Sequence, residues 1–227
     1  MSKIKKILLI GTLPPPISGQ TISFKMLNEN LKSSFELDSL NISPNISLNN
    51  KFYYFFRSFE FMFLSVVFIS KLVFKNYDIN YLTISQSRYG FIRDFLFINL
   101  SRLFNIKVVA HLKGGNYKNF YYSQNLFIRK LIKTTLNNTT NIIVLGEKLK
   151  NMFDFDSNLE SKIKIINNCI PFEYTNFKKH KINQKEIKIL YLSNLIVTKG
   201  YLDILIALKY LKNNGFQFKA YFCGKFL

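Results

Sequence analysis

Residues 80–110 read NYLTISQSRYGFIRDFLFINLSRLFNIKVVA, and this stretch decides the fold class. Asn80-Tyr81-Leu82-Thr83-Ile84-Ser85 is a short apolar run and reads as a strand. Gly90 to Phe104 carries Phe91, Phe95, Ile98 and Leu103 at helical spacing, so a helix with those four on its inner side is expected. Ile106 to Ala110 is a second strand. A strand, a helix of several turns and another strand form a βαβ unit, and units of this kind build a parallel sheet.

The alternation continues in both directions. Downstream, Ala110 runs into His111-Leu112-Lys113-Gly114-Gly115. A helix over Asn125 to Leu136, a strand over Asn141 to Leu145, a helix over Glu147 to Phe153 and a strand over Ile163 to Ile166 follow. Upstream, Lys6 to Gly11 is a buried-type strand ending in glycine. The loop Thr12 to Gly19 then leads to a helix over Gly19 to Leu31 and a weak strand over Phe35 to Ile42. Pro171 to Glu186 has no periodicity, is rich in Lys and Asn, and reads as a linker. The alternation then restarts with a strand over Ile187 to Leu192, a helix over Lys199 to Leu211, Gly215 past its end, and a strand over Phe216 to Cys223. The expected architecture is α/β: a Rossmann-like domain over 1–170, a linker over 171–186, and the start of a second Rossmann-like domain over 187–227. Two strands and one helix cannot cover both faces of a sheet, so that second domain is read as incomplete.

Phe52 to Phe74 is the most apolar stretch. Phe52, Phe55, Phe56, Phe59, Phe63, Val66, Val67 and Phe74 sit at helical spacings, interrupted by Arg57, Glu60 and Lys71. The uncharged run from Phe61 to Ser70 is about half of the roughly 20 residues a span requires. A helix packed against the core is expected here, with one face available to a bilayer.

Composition narrows the function classes. The 227 residues are 48% apolar and 16% aromatic, which excludes a disordered chain, and two cysteines exclude a disulfide scaffold. There are 32 Lys and Arg against 13 Asp and Glu, a formal charge of +19. Only 5 of the 32 are Arg. Nucleic-acid readers lean on Arg for bidentate contacts, so the basic surface points to anionic lipid or a phosphorylated small molecule, not to nucleic acid. Ile7 to Ile10 is too short for a secretory core segment, so a cytoplasmic chain with Cys169 and Cys223 reduced is expected.

Three loops follow strand ends, where open α/β sheets bind ligands. Gly11 to Gly19 ends at a helix whose free N–H groups can hold an anion, although a rigid turn explains it equally well. His111-Leu112-Lys113-Gly114-Gly115-Asn116 offers a histidine able to accept a proton, a lysine able to hold a phosphate, and glycines that admit a ligand; a structural histidine is the plainer alternative. Ser193 to Gly200 brings Thr198-Lys199-Gly200 to the start of a helix. A lysine there opposes the helix dipole unless an anion is shared. Neither the dinucleotide G-x-G-x-x-G, nor a P-loop, nor zinc spacing occurs.

These loops resemble, in order along the chain, the motifs of the retaining glycosyltransferases of family four, which have the two-Rossmann-domain B-type fold. Gly11-Thr12-Leu13-Pro14-Pro15-Pro16-Ile17-Ser18-Gly19-Gln20 is similar to that family's proline-rich first loop. Ala110 to Tyr117 is similar to its His-x-His-Gly-Gly-Asn-Phe segment. Val144 to Leu149 and Ile165 to Ile170 are similar to the last strands of its first domain. Ile189 to Gly200 is similar to its Gly-Arg-Leu-x-x-x-Lys-Gly segment. The resemblance implies an acceptor-side first domain and a second domain that binds a nucleotide diphosphate sugar, with the reaction between them. Gly19, Asn194 and Lys199 then fall at the donor, and His111 and Lys113 at the catalytic loop. No metal or other cofactor is implied, and the donor is a substrate. Asn194 stands where the family has Arg, Ser193 where it has Gly, and Lys113 where it has a second His. The family's Glu-x7-Glu donor segment has no counterpart in these residues, so the chain looks like the first part of an enzyme. The expected activity is sugar transfer to a saccharide or lipid-linked acceptor in cell-surface polysaccharide assembly, with a complementary C-terminal half and an anionic membrane surface as further partners. The competing reading is a non-catalytic accessory domain derived from such an enzyme.

Overall fold

The structure is a computed structural model that describes residues 4–15, 17–43, 53–168 and 187–225. The chain divides into two compact units, Met1–Cys169 and Ile170–Leu227. The expected linker over 171–186 lies outside the described residues, as does Cys169.

The first unit runs β1 (Lys6–Gly11), α1 (Gly19–Leu31), β2 (Glu36–Asn41), α2 (Tyr53–Phe74), β3 (Ile79–Ile84), α3 (Arg88–Leu103), β4 (Lys107–Leu112), α4 (Tyr117–Tyr122), α5 (Leu126–Asn137), β5 (Asn141–Val144) and β6 (Ile163–Ile165), with two 3₁₀ segments between β5 and β6. The six strands form one sheet in the order β2-β1-β3-β4-β5-β6, and every neighbouring pair is parallel. Side chains alternate across each strand. Leu8, Ile10, Leu82, Val108, Ala110 and Ile142 enter the larger core, with Phe68 of α2 and Phe97 of α3. Ile7, Leu9 and Tyr81 point the other way and meet Phe24 of α1 in a smaller cluster. The larger core is centred on aromatic packing: Phe68 and Phe97 stack at 4.2 Å between centroids, and both are almost wholly buried. Burying one such ring stabilises the fold by about 1.5–3 kcal/mol.

Local chemistry starts and stops these elements. Ser18 caps α1: its Oγ accepts from the Thr21 amide at 3.2 Å, and its own amide donates to Thr21 Oγ1 at 3.0 Å. Asn125 caps α5 through the Ile128 amide at 2.9 Å. Asn105, at φ 57°, ends α3 in the left-handed region that asparagine tolerates. The C-terminal end of α2 is clamped to β2. Asp38 accepts from Lys71 Nζ and Lys75 Nζ, each at 2.7 Å, and from Tyr77 Oη at 2.6 Å. Burial pushes the Asp38 carboxyl up, but the two lysines and the phenol outweigh it and hold the group well below the carboxylate range.

Several sequence expectations are corrected. β4 extends to Leu112, so His111 lies within the strand and not in the loop after it. Leu103 is 75% exposed at the end of α3, where the inner stripe has already turned away. Glu147 to Phe153 is a 3₁₀ segment in place of the expected α-helix, and a short helix, α4, precedes α5. In α2 the core face is Leu64, Val67, Phe68 and Leu72, and the outer face carries Phe55, Phe59, Phe63, Val66 and Phe74.

The second unit contains β7 (Ile187–Leu192), a 3₁₀ turn over Val197–Lys199, α6 (Tyr201–Asn213) and β8 (Phe218–Cys223). β7 and β8 pair in parallel, with Tyr191 opposite Phe222. Gly215, at φ 82°, follows α6 as a left-handed cap. Cys223 is a free, exposed thiol.

Candidate functional site

The carboxyl ends of β1, β3 and β4 lie side by side in the sheet. They bring together the start of α1, the loop after β4 and a buried polar pair. β3 and β4 are in register with Tyr81 opposite Val109 and Thr83 opposite His111. Tyr81 and His111 therefore share a face on a diagonal that an aromatic side chain can bridge. The Tyr81 hydroxyl is hydrogen-bonded to His111 Nδ1, and the rings meet edge to face at 5.7 Å. Both groups are satisfied when Tyr81 donates to Nδ1, which leaves the ring proton on Nε2. That atom is buried and has no hydrogen-bond partner among the described residues.

Electrostatics keep the pair neutral. Burial, reinforced by the charge of Lys113, pushes the His111 imidazole down to about 3. Burial pushes the Tyr81 phenol above its ordinary range. His111 is thus a weak base and a good candidate donor through Nε2. Lys113 Nζ donates to Ser23 Oγ at 2.8 Å, tying the β4 loop to the second turn of α1. Gln86, after β3, closes the other side: its Oε1 accepts from the Asn116 amide at 2.6 Å. Asp94 is buried beneath this edge and accepts from the Ser85 amide at 2.6 Å and from Arg93.

Gly19 is the first residue of α1, on the same edge. A Cβ there would meet nothing within 4 Å, so this chain's own packing does not require the glycine. The open space lies beside helix amides that favour an anion.

In the second unit, Asn194 and Lys199 follow the carboxyl end of β7. Asn194 is part of a stitched turn. The Ser193 amide donates to the Cys223 carbonyl at 3.1 Å, and the Leu195 amide to the Lys225 carbonyl at 2.8 Å. A Cβ at Gly224 would overlap the Ser193 carbonyl, so the two strand ends approach as only glycine allows. Lys199 does not open the helix, as the sequence suggested. It ends the 3₁₀ turn, and Gly200, at φ 76°, separates that turn from α6. The lysine side chain is exposed, and its carbonyl accepts from Tyr191 Oη at 3.3 Å.

The structure thus gathers Gly19, His111 and Lys113 on one sheet edge, and it places Asn194 and Lys199 beyond the corresponding edge of the second sheet. Tyr81, Ser23 and Gln86 were not singled out from sequence. For Tyr81 the available signal was strand alternation, which puts it on the His111 face once β3 and β4 are parallel neighbours.

The fold is α/β, with a six-stranded parallel Rossmann-like sheet, and it matches structures of B-type glycosyltransferases. It is similar to Anabaena HepE, solved in complex with UDP and glucose, at 14% identity and a TM-score of 0.55, over 99% of this chain and 62% of HepE. It is also similar to the lipopolysaccharide outer core galactosyltransferase WaaB in its apo form, at 12% identity and a TM-score of 0.57, over 96% of this chain and 68% of WaaB. Neither a protein-family model nor any curated protein matches the sequence. The chain therefore spans under two thirds of the length of HepE.

Proposed function

We propose that the chain is part of a glycosyltransferase that moves a sugar from a nucleotide diphosphate sugar to a saccharide or lipid-linked acceptor in cell-surface polysaccharide assembly. The observation that carries this reading is the convergence of Gly19, His111 and Lys113 at one carboxyl edge, with Lys199 at the equivalent edge of a second parallel sheet. The likeness to HepE and WaaB, one solved with UDP and glucose and the other a galactosyltransferase, supports it.

In this reading the first unit faces the acceptor and the second the donor. Departure of the diphosphate is favoured where cationic side chains and helix amides meet developing negative charge. Lys199 supplies such a charge in the second unit, and the open amides at Gly19 offer an anion site in the first. His111, held neutral and braced by Tyr81, lies buried directly before the loop that carries Lys113. Lys113, fixed by Ser23, adds its positive potential to the burial that keeps His111 neutral.

The test is a transfer assay over a panel of nucleotide diphosphate sugars. It compares the 227-residue chain with the same chain joined to a segment that completes the second parallel sheet. The expected result is no turnover by the chain alone and transfer from one donor by the joined form. Turnover at about 1 per second or more by the chain alone would contradict the division of labour. Binding without turnover in both forms would favour an accessory domain.

A further inference from the structure

Helix α2 is turned inside out relative to a water-facing helix. Its three charged residues are the ones drawn inward: the side chains of Arg57, Glu60 and Lys71 are 31%, 16% and 19% exposed. Arg57 pairs with Glu60 at 2.6 Å, and Lys71 is held by Asp38. The outward face is apolar. Phe55, Phe59, Met62, Phe63, Val66 and Phe74 are between 59% and 84% exposed, and Ser58 is the one polar residue among the exposed described side chains of the helix. With Ile69 and Val73, 41% and 55% exposed, these positions lie on one side of the helix and form a single stripe about 30 Å long at 1.5 Å per residue.

The clamp at Asp38 fixes this orientation. Rotating α2 to hide its phenylalanines would break the Lys71–Asp38 pair and withdraw Phe68 and Leu72 from the core. A stripe of this size on a water-soluble surface marks an interaction face. Charge identifies what covers it. The unit that carries α2, residues 1–169, has 22 Lys and Arg against 10 Asp and Glu, a net charge of +12. A second copy would bring the same positive charge to the contact, whereas an anionic lipid surface complements it. No described helix is long and apolar enough to cross a membrane, so the geometry is that of a helix lying in the interface.

We infer that the outer face of α2 docks on an anionic bilayer, with the phenylalanine stripe in the headgroup and acyl boundary and the basic first unit against the lipid charge. This inference stands apart from the transferase reading, and donor chemistry is unaffected by its failure.

The sequence contains no tryptophan, so one introduced indole reports a single site. Phe59→Trp in the full chain is mixed with vesicles of phosphatidylcholine alone, or of phosphatidylcholine with phosphatidylglycerol, some carrying brominated acyl chains. The expected result is a blue-shifted emission, quenched by the brominated lipid, on the anionic vesicles only and reversed by added salt. Ile22→Trp, on α1 across the sheet, should remain unquenched. Phe59→Ser, Phe63→Ser and Val66→Ser together should reduce partitioning about tenfold or more. Equal quenching at both tryptophan positions, or none, overturns the inference. Partitioning that ignores anionic lipid overturns it as well. A dimer in sedimentation that the triple variant converts to monomer also overturns it, because the stripe would then be covered by a second copy. Phe59→Trp preserves an aromatic at an exposed position, so the test holds even if the triple variant does not fold.

Discussion

The two units follow the same strand–helix–strand grammar and end with very different interiors. In the first unit, six strands and their helices enclose a continuous core that includes Leu8, Phe68, Phe97, Ala110, Ile142 and Val144 at 1% exposure or less. In the second, Tyr191 and Leu208 are the buried apolar residues among those described, while Leu190, Leu192, Ile206, Tyr210 and Phe216 are more than half exposed. The residues are as apolar in one as in the other. What differs is the number of elements available to cover each face. Each face of a sheet needs its own layer, and one βαβ unit supplies a single helix. Stability in this chain is therefore expected to reside in the first unit.

The sharpest way to break this comparison is to remove one buried apolar side chain from each side of it. Phe68→Ala should destabilise the first unit by about 3–5 kcal/mol, because the cavity opens against Phe97 and α2 cannot follow it inward. Thermal melting would measure this, and a loss below about 1 kcal/mol would mean that the core is less continuous than described.

A pH titration probes the same unit through its buried site. In the fold, His111 stays neutral down to about 3, whereas in the unfolded chain it takes a proton near 6.5. The unfolded state therefore binds more protons between these values, and stability falls as pH drops through that window. About 2 kcal/mol should be lost between pH 6.5 and 5. His111→Gln should flatten this slope, as read by chemical denaturation at several pH values. An unchanged slope would mean that the histidine is not held neutral. Asp38 adds a separate loss at lower pH. Its depressed carboxyl stabilises the fold above the unfolded value near 4, and that contribution disappears in stronger acid.

In the second unit, Leu208→Ala should cost less than Phe68→Ala, about 2 kcal/mol, since only Tyr191 and Leu208 are buried apolar residues among those described there. Hydrogen exchange should show the same contrast, with amides of β7 and β8 exchanging faster than those of β3 and β4. The smallest effect on stability is expected at Gly19→Ala. With nothing within 4 Å of the new methyl, melting should change by no more than about 0.5 kcal/mol, while donor use by the joined enzyme should fall. Equal losses of stability and donor use would reassign Gly19 to the fold.

The legibility of the sequence follows the same division. Strands β1, β3, β4 and β7 were readable because an apolar run bounded by turn residues has one solution in a parallel sheet. The βαβ order was readable for the same reason. Three features were not. Periodicity located α2 but could not orient it, because Leu64, Val67, Phe68 and Leu72 form one apolar stripe and Phe55, Phe59, Phe63 and Val66 form another. The choice between them was made by the Asp38 clamp, a contact 33 residues away from Lys71 in sequence. His111 was placed past the end of its strand because a histidine followed by Leu-Lys-Gly-Gly resembles a loop. Its true position depends on pairing with β3, which carries Tyr81. Lys199 was placed on the helix because Gly200 gives no local sign of whether it continues a helix or breaks it. Its φ of 76° decides the matter.

The central claim is that Lys199 and the edge beyond β7 receive a diphosphate. Titration of the joined protein with a nucleoside diphosphate, the corresponding monophosphate and the diphosphate sugar tests it most directly, with Lys199→Ala measured beside the unaltered protein. The account predicts that the diphosphate binds at least about tenfold more tightly than the monophosphate. It also predicts that Lys199→Ala loses about 1.5–3 kcal/mol of diphosphate affinity, the range for a charged hydrogen bond, with no change in melting temperature. Equal affinity for monophosphate and diphosphate, or unchanged affinity in Lys199→Ala, would contradict it.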